Sequence, residues 1–176
     1  MAWSASAIFQ QAIKNPILYS VVGSGSLTLP TSYSTTGGLL SDTVNCALFG
    51  NTGTPDKTAV VASTGYNTGQ WTTGNEISGT GYTAGGAALG SKTFALDTGS
   101  SSMCFTAANP SWTGATLSGV YGCLVYDNTI SGGTVAKQGM CFNYFGGTQS
   151  VTSGTFTVQW ATPSGAAVTA VFNIAV

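Results

Sequence analysis

Beyond residue 18 the chain repeats one pattern: short runs rich in Val, Thr and aromatic residues, each closed by Gly-Gly, Asn-Thr-Gly or Pro-Ser-Gly. Such runs suit pleated, half-buried backbone, and the glycines, prolines and asparagines between them supply turn conformations. In the run 155–160, Phe156, Val158 and Trp160 fall on one face of a strand, with Thr155, Thr157 and Gln159 on the other. The pattern predicts strands at Thr43–Phe49, Lys92–Leu96, Met103–Ala107, Thr116–Tyr126, Gln138–Phe145, Gly154–Trp160 and Val168–Ala175. Strands at this spacing imply an all-β fold, an antiparallel β-sandwich or barrel of jelly-roll-like form. The 176 residues suffice for one domain, expected as a single β-sandwich over 17–176 behind an N-terminal helical arm over 1–16.

The arm is the one helix candidate. Ser4 is placed to cap residues 4–14, Trp3 to staple onto Ile8, and Ile8, Phe9, Ala12 and Ile13 share a helical face. Pro16 ends the pattern by disfavouring α conformation at Asn15. A helix this short is marginal in water, so its apolar face needs support. Two roles stay open: closing one end of the β-domain, or docking Trp3, Ile8, Phe9 and Ile13 on another chain. In the docking case, removing residues 1–15 leaves a folded domain that no longer assembles.

Two long irregular stretches, 20–42 and 50–91, interrupt the strands. Loops of this length are usually functional or packed against a partner. Tyr66, Trp71 and Tyr82 within the second are candidate partner-binding residues.

Charge is the compositional anomaly, at 5% of residues against about 25% in ordinary globular proteins. There are four lysines (Lys14, Lys57, Lys92, Lys137), no arginine and no histidine, for a net charge of −1. Nucleic-acid binding draws its affinity from Lys and Arg on phosphates, so that class is excluded. Histidine-based nucleophilic catalysis, His-ligated metals and bidentate Arg clamps are excluded too. No apolar stretch approaches the roughly 18 residues that cross a bilayer, and the N-terminus does not read as a secretory signal. Disorder is disfavoured because 43% of the chain is hydrophobic. Low charge also removes a guard against self-association, so the chain is expected to live in an assembly.

The residues that remain for chemistry are few. The carboxylates Asp42, Asp56, Asp97 and Asp127 stand beside Ser, Thr, Asn or Gly, where turn-forming aspartates are ordinary. With Glu76 they leave open a glycosidase pair or a loop calcium site, neither supported by spacing. Trp71, Tyr82 and Trp112 have the chemistry to stack on sugars, but aromatics in β-proteins more often anchor cores and interfaces. Cys46, Cys104, Cys123 and Cys141 lack CxxC spacing and sit in apolar runs. Buried free thiols are the reading preferred, with a Cys123–Cys141 disulfide as the alternative. No cofactor or metal is expected, and no enzymatic activity.

Several segments carry a resemblance to a known family. They are Met1-Ala2-Trp3-Ser4 with Ile8-Phe9, Asn51-Thr52-Gly53-Thr54-Pro55-Asp56, Gly65-Tyr66-Asn67, Gln70-Trp71, Asn75-Glu76 and Tyr82-Thr83-Ala84-Gly85-Gly86. Ser118–Thr129, with its Val-Tyr-Gly-Cys-Leu-Val-Tyr-Asp core, and Gln138–Trp160 continue the series. Together they resemble small virion proteins of tailed bacteriophages of actinobacteria; residues 15–42 and the four cysteines do not match that pattern. The resemblance implies a capsid decoration (cement) protein, located on the capsid exterior of the virion and assembled in the host cytoplasm. It also implies the major capsid protein as partner and a homotrimer; no nucleic-acid or membrane partner is expected, on the charge and hydropathy grounds above. A phage tail protein and a carbohydrate-binding or adhesin module are the alternatives.

Overall fold

A computed structural model describes residues 3–10, 38–132, 135–162 and 164–175. In chain order the strands are β1 (Ala7–Ile8), β2 (Val44–Phe49), β3 (Ala87–Ala88), β4 (Thr93–Asp97), β5 (Ser102–Thr106), β6 (Ser111–Asp127), β7 (Gly139–Thr157) and β8 (Phe172–Ala175). A single helical turn, α1 (Gly38–Ser41), precedes β2. Every pairing is antiparallel. One sheet has the order β1-β7-β6-β2-β3 and the other β4-β5-β8. The all-β expectation holds.

The five-stranded sheet is covered on both faces, which explains its continuous apolar runs. From β2, Val44, Cys46 and Leu48 face one core, while Ala47 and Phe49 face another. In β6, Cys123 and Val125 alternate in the same way with Leu124 and Tyr126. The first core is shared with the three-stranded sheet through Phe105 and Phe172. The second core is aromatic and is roofed by the stretch that follows β2, through Tyr66 and Trp71.

β6 and β7 form one long hairpin whose register shifts five times. The β6 residues facing the first core are Trp112, Ala115, Leu117, Val120, Cys123 and Val125. Where these step by three instead of two, a glycine lies between them: Gly114, Gly119 and Gly122. Gly114 and Gly119 have φ of 62° and 69°, the left-handed conformation that lets an extra residue bulge out without a steric penalty. Each bulge bends the ribbon and resets the alternation, so both halves of β6 line one core.

Two expectations fail here. The segments 138–145 and 154–160 are one strand rather than two, because Gly146-Gly147 serves as an irregularity inside β7 and not as a hairpin turn. The N-terminal helix is not formed over residues 3–9, where Ala7–Ile8 is strand. Ala7 pairs with Phe142, Ile8 with Cys141, and the Phe9 N–H donates to the Met140 carbonyl at 3.0 Å. The Tyr144 N–H donates to Ser6 Oγ at 2.8 Å. Trp3, Ala7 and Phe9 thereby all reach the aromatic core, and Ile8 points to the other. Period-two burial against a waiting sheet edge outweighs helical propensity in so short a segment. Residues 11–14 of the expected helix, with Ile13, lie outside the described residues, as do residues 20–37 of the first long stretch.

Candidate functional site

The side chains singled out for docking converge, but inward. Trp3, Phe9, Tyr66 and Trp71 are 2%, 0%, 7% and 1% exposed. Trp71 is the hub: Phe49, Trp3 and Phe9 meet it edge-on at centroid distances of 5.1, 5.8 and 5.9 Å. Edge-to-face geometry sets the positive rim of one ring against the negative face of another. Trp3 Nε1 also donates to the Gly50 carbonyl at 2.9 Å. These aromatics are occupied by the chain's own core and leave no exposed platform. Ile8 is half-buried between the sheets. Trp112 is buried against Phe156 and Tyr82, so Trp71 and Trp112 offer no open face to a sugar.

Tyr82 belongs to a second constellation, centred on Glu76. Glu76 Oε1 accepts hydrogen bonds from the Tyr82 phenol at 2.6 Å and the Gly85 N–H at 2.7 Å, and Oε2 accepts from the Tyr66 phenol at 2.7 Å. Tyr82 in turn accepts from the Leu48 N–H at 2.9 Å. Tyr66 stacks on Tyr126 at 4.7 Å with 9° between the planes. The Tyr126 phenol donates to the Gly85 carbonyl at 2.9 Å, and Lys137 Nζ lies 5.2 Å from the Tyr66 ring centre. Burial, then the hydrogen bond to Glu76 and its charge, pushes the Tyr66 and Tyr82 phenols upward. Burial raises Tyr126 to about 12. All three stay protonated and donating at neutral pH. Glu76 therefore ties three parts of the roofing segment together, and Tyr82 and Gly85 join that knot to Leu48 of β2 and Tyr126 of β6, a role missed in the sequence. The available signal was the chain's one glutamate, with Tyr66 and Tyr82 close to it in sequence.

The four cysteines are free and buried, as preferred from the sequence, so Cys123–Cys141 is not a disulfide. Burial is the largest cause of the raised pKa of the Cys46, Cys104 and Cys141 thiols. Among the described residues no three His, Cys, Asp or Glu side chains gather to hold a metal ion, and no helix is long and apolar enough to cross a membrane. The carboxylates serve turns: Asp97 accepts from Ser100 and Ala167, Asp56 from Thr58, and Asp127 from the Thr129 N–H.

What remains on the outside carries little charge, Asp56 and Lys57 being the exposed charged residues among those described. A groove of about 540 Å³ inside the bent β7 is lined by Phe145, Gln149, Ser150, Thr155 and Gln159. The β4 strand is exposed at four of its five residues. Compared with protein-family models, curated proteins and solved structures, the chain matches none.

Proposed function

We propose that this chain is a non-enzymatic phage capsid decoration (cement) protein that binds the outer surface of the major capsid shell and stabilises it, as a trimer. The distribution of charge carries the reading, together with the sequence resemblance. Of the eight charged residues among those described, only Asp56 and Lys57 are exposed, and Glu76, Asp97 and Asp127 are buried. A surface this poor in charge has little electrostatic protection against association. Its contacts must rest on main-chain hydrogen bonds and on apolar burial, at roughly 25 cal/mol per Å². Repeated over a shell, weak contacts of this kind give high avidity.

The test is attachment to shells that lack the protein, measured from low salt to about 1 M, where screening suppresses interactions between exposed charges. The bound fraction is expected to change little, and a steep loss with salt overturns the proposal. Copy number separates it from the tail reading: hundreds per particle spread over the shell support cementing, and a few copies or a stack along the tail do not. A carbohydrate-binding module is favoured only by the uncharged amide and hydroxyl lining of the β7 groove. A glycan array on which Gln149→Ala binds like the wild type removes that reading.

A further inference from the structure

Among the described residues, β4 hydrogen-bonds to β5 on one side and has no strand on its other. An open edge is a template for another strand, and proteins commonly guard it with charge, proline or a bulge. β4 reads Thr-Phe-Ala-Leu-Asp and has none of these guards exposed. The ammonium of neighbouring Lys92 is spent on the Asp42 carbonyl. The Asp97 carboxylate turns inward to Ser100 and Ala167. Phe94 and Leu96 are nevertheless 38% and 59% exposed.

The register of the sheet says what fits there. Phe94, Phe105 and Phe172 form one cross-strand row, and Leu96, Met103 and Ile174 form the next row on the same face. We infer that β4 pairs antiparallel with β4 of a second copy of this chain, about a two-fold axis at Ala95. That centre opposes Phe94 to Leu96 of the second copy and Leu96 to its Phe94. Each aromatic row then runs on into an aliphatic row, and the two apolar faces stay on one side of a six-stranded sheet. Centring on Phe94 instead sets Lys92 against Leu96, and centring on Leu96 sets Phe94 against Thr98. A slip of one residue in pairing turns the apolar faces to opposite sides. The Ala95 register is self-complementary, as a two-fold contact requires, and brings no exposed charge against an apolar side chain. A five-residue edge buries less than the roughly 800 Å² per partner of a standard interface, so the pair is weak and concentration-dependent. The inference is independent of the proposed function: it concerns the free chain in solution, whereas the trimer is the state proposed on the shell.

Ala95 is exposed, and in this register it faces Ala95 of the second copy at the roughly 5 Å Cβ separation of directly opposed cross-strand residues. Mild oxidation of Ala95→Cys is therefore expected to give a disulfide-linked dimer. Thr93→Cys, about 13 Å from its counterpart at the strand rise per residue, is expected to form no cross-link. Sedimentation of the wild type is expected to show a mass rising from 17.7 kDa toward twice that value with concentration, and Leu96→Asp to suppress the rise without changing the circular dichroism spectrum. A folded Ala95→Cys that fails to cross-link, equal cross-linking of both cysteine variants, or a Leu96→Asp protein that associates like the wild type overturns the pairing.

Discussion

Phe145 and Phe156 lie on the same strand, eleven residues apart, and their ring centroids are 6.4 Å from each other. A straight strand would separate them by roughly 36 Å. β7 therefore doubles back with β6, and the bulges are what bend it. The bend lets a single hairpin supply the centre of the five-stranded sheet and also the far wall of its core, where Trp112 and Phe156 pack with Phe105.

Gly114 and Gly122 test this account because they are required for different reasons. A Cβ at Gly114 meets nothing within 4 Å, but its backbone sits at φ 62°. Gly114→Ala is expected to cost about 1–2 kcal/mol of left-handed strain. A Cβ at Gly122 would lie 2.4 Å from the Asn143 carbonyl oxygen and 2.5 Å from the Trp3 ring. Gly122→Ala should cost more, about 3 kcal/mol, since the backbone cannot give way without displacing Trp3. Urea unfolding of both variants measures the difference, and equal losses would refute the distinction.

The place of Trp3 in the aromatic core changes the expected result of truncation. Deleting residues 1–15 removes Trp3 and Phe9 from around Trp71, so the remainder is expected to unfold rather than persist as an intact domain. Trp3→Ala alone should cost about 3–5 kcal/mol, as for other large buried aromatics. Near-ultraviolet circular dichroism and thermal melting would report this, and a truncated chain with the wild-type melting temperature would show the N-terminal segment to be dispensable.

Much of the sheet was legible because its signal is local. Cys46-Ala47-Leu48-Phe49 and Cys123-Leu124-Val125-Tyr126 are apolar on both faces, as a doubly covered strand must be. The N-terminal strand was misread because Ile8, Phe9, Ala12 and Ile13 satisfy a helical period while Trp3-Ser4-Ala5-Ser6-Ala7 satisfies period two. Only the neighbouring β7 edge, distant in sequence, decides between them. The glycine steps at 114, 119 and 122 resemble turn punctuation until their partner strand is known. The Glu76 clamp was hidden for the same reason: its phenols and Gly85 N–H converge only after the roofing segment has folded back.

Glu76 should be costly to remove. Glu76→Ala leaves the Tyr66 and Tyr82 hydroxyls and the Gly85 N–H without their acceptor, and is expected to destabilise by about 3 kcal/mol or more, several buried donors being orphaned at once. Glu76→Gln keeps one carbonyl acceptor and should lose roughly half as much. Denaturant midpoints order the three proteins, and an alanine variant as stable as the glutamine variant would mean that the clamp is not held by these hydrogen bonds.

Stability should also fall between weakly acidic and neutral pH, and Asp127 is the cause. Burial, opposed by the Thr129 N–H and reinforced by the neighbouring Asp42 charge, raises its pKa to about 6. In the unfolded chain the same group titrates near 3.9. Between those values the folded state holds a proton that the unfolded state has released, so unfolding releases protons and the folded state weakens as pH rises. The contribution is complete below about pH 4 and gone above the folded-state pKa; with solvent screening around this carboxyl it is worth about 1–2 kcal/mol. Asp97 and Asp56 act in the opposite sense, their pKa values being lowered by hydrogen bonds; the stability they add is lost as pH falls through the acid range below 4. Asp127→Asn keeps an oxygen to accept the Thr129 N–H and removes the titration, so its unfolding free energy should be flat between pH 4.5 and 7. Urea unfolding across that interval decides the matter: a wild-type slope that survives unchanged in Asp127→Asn would assign it to another group.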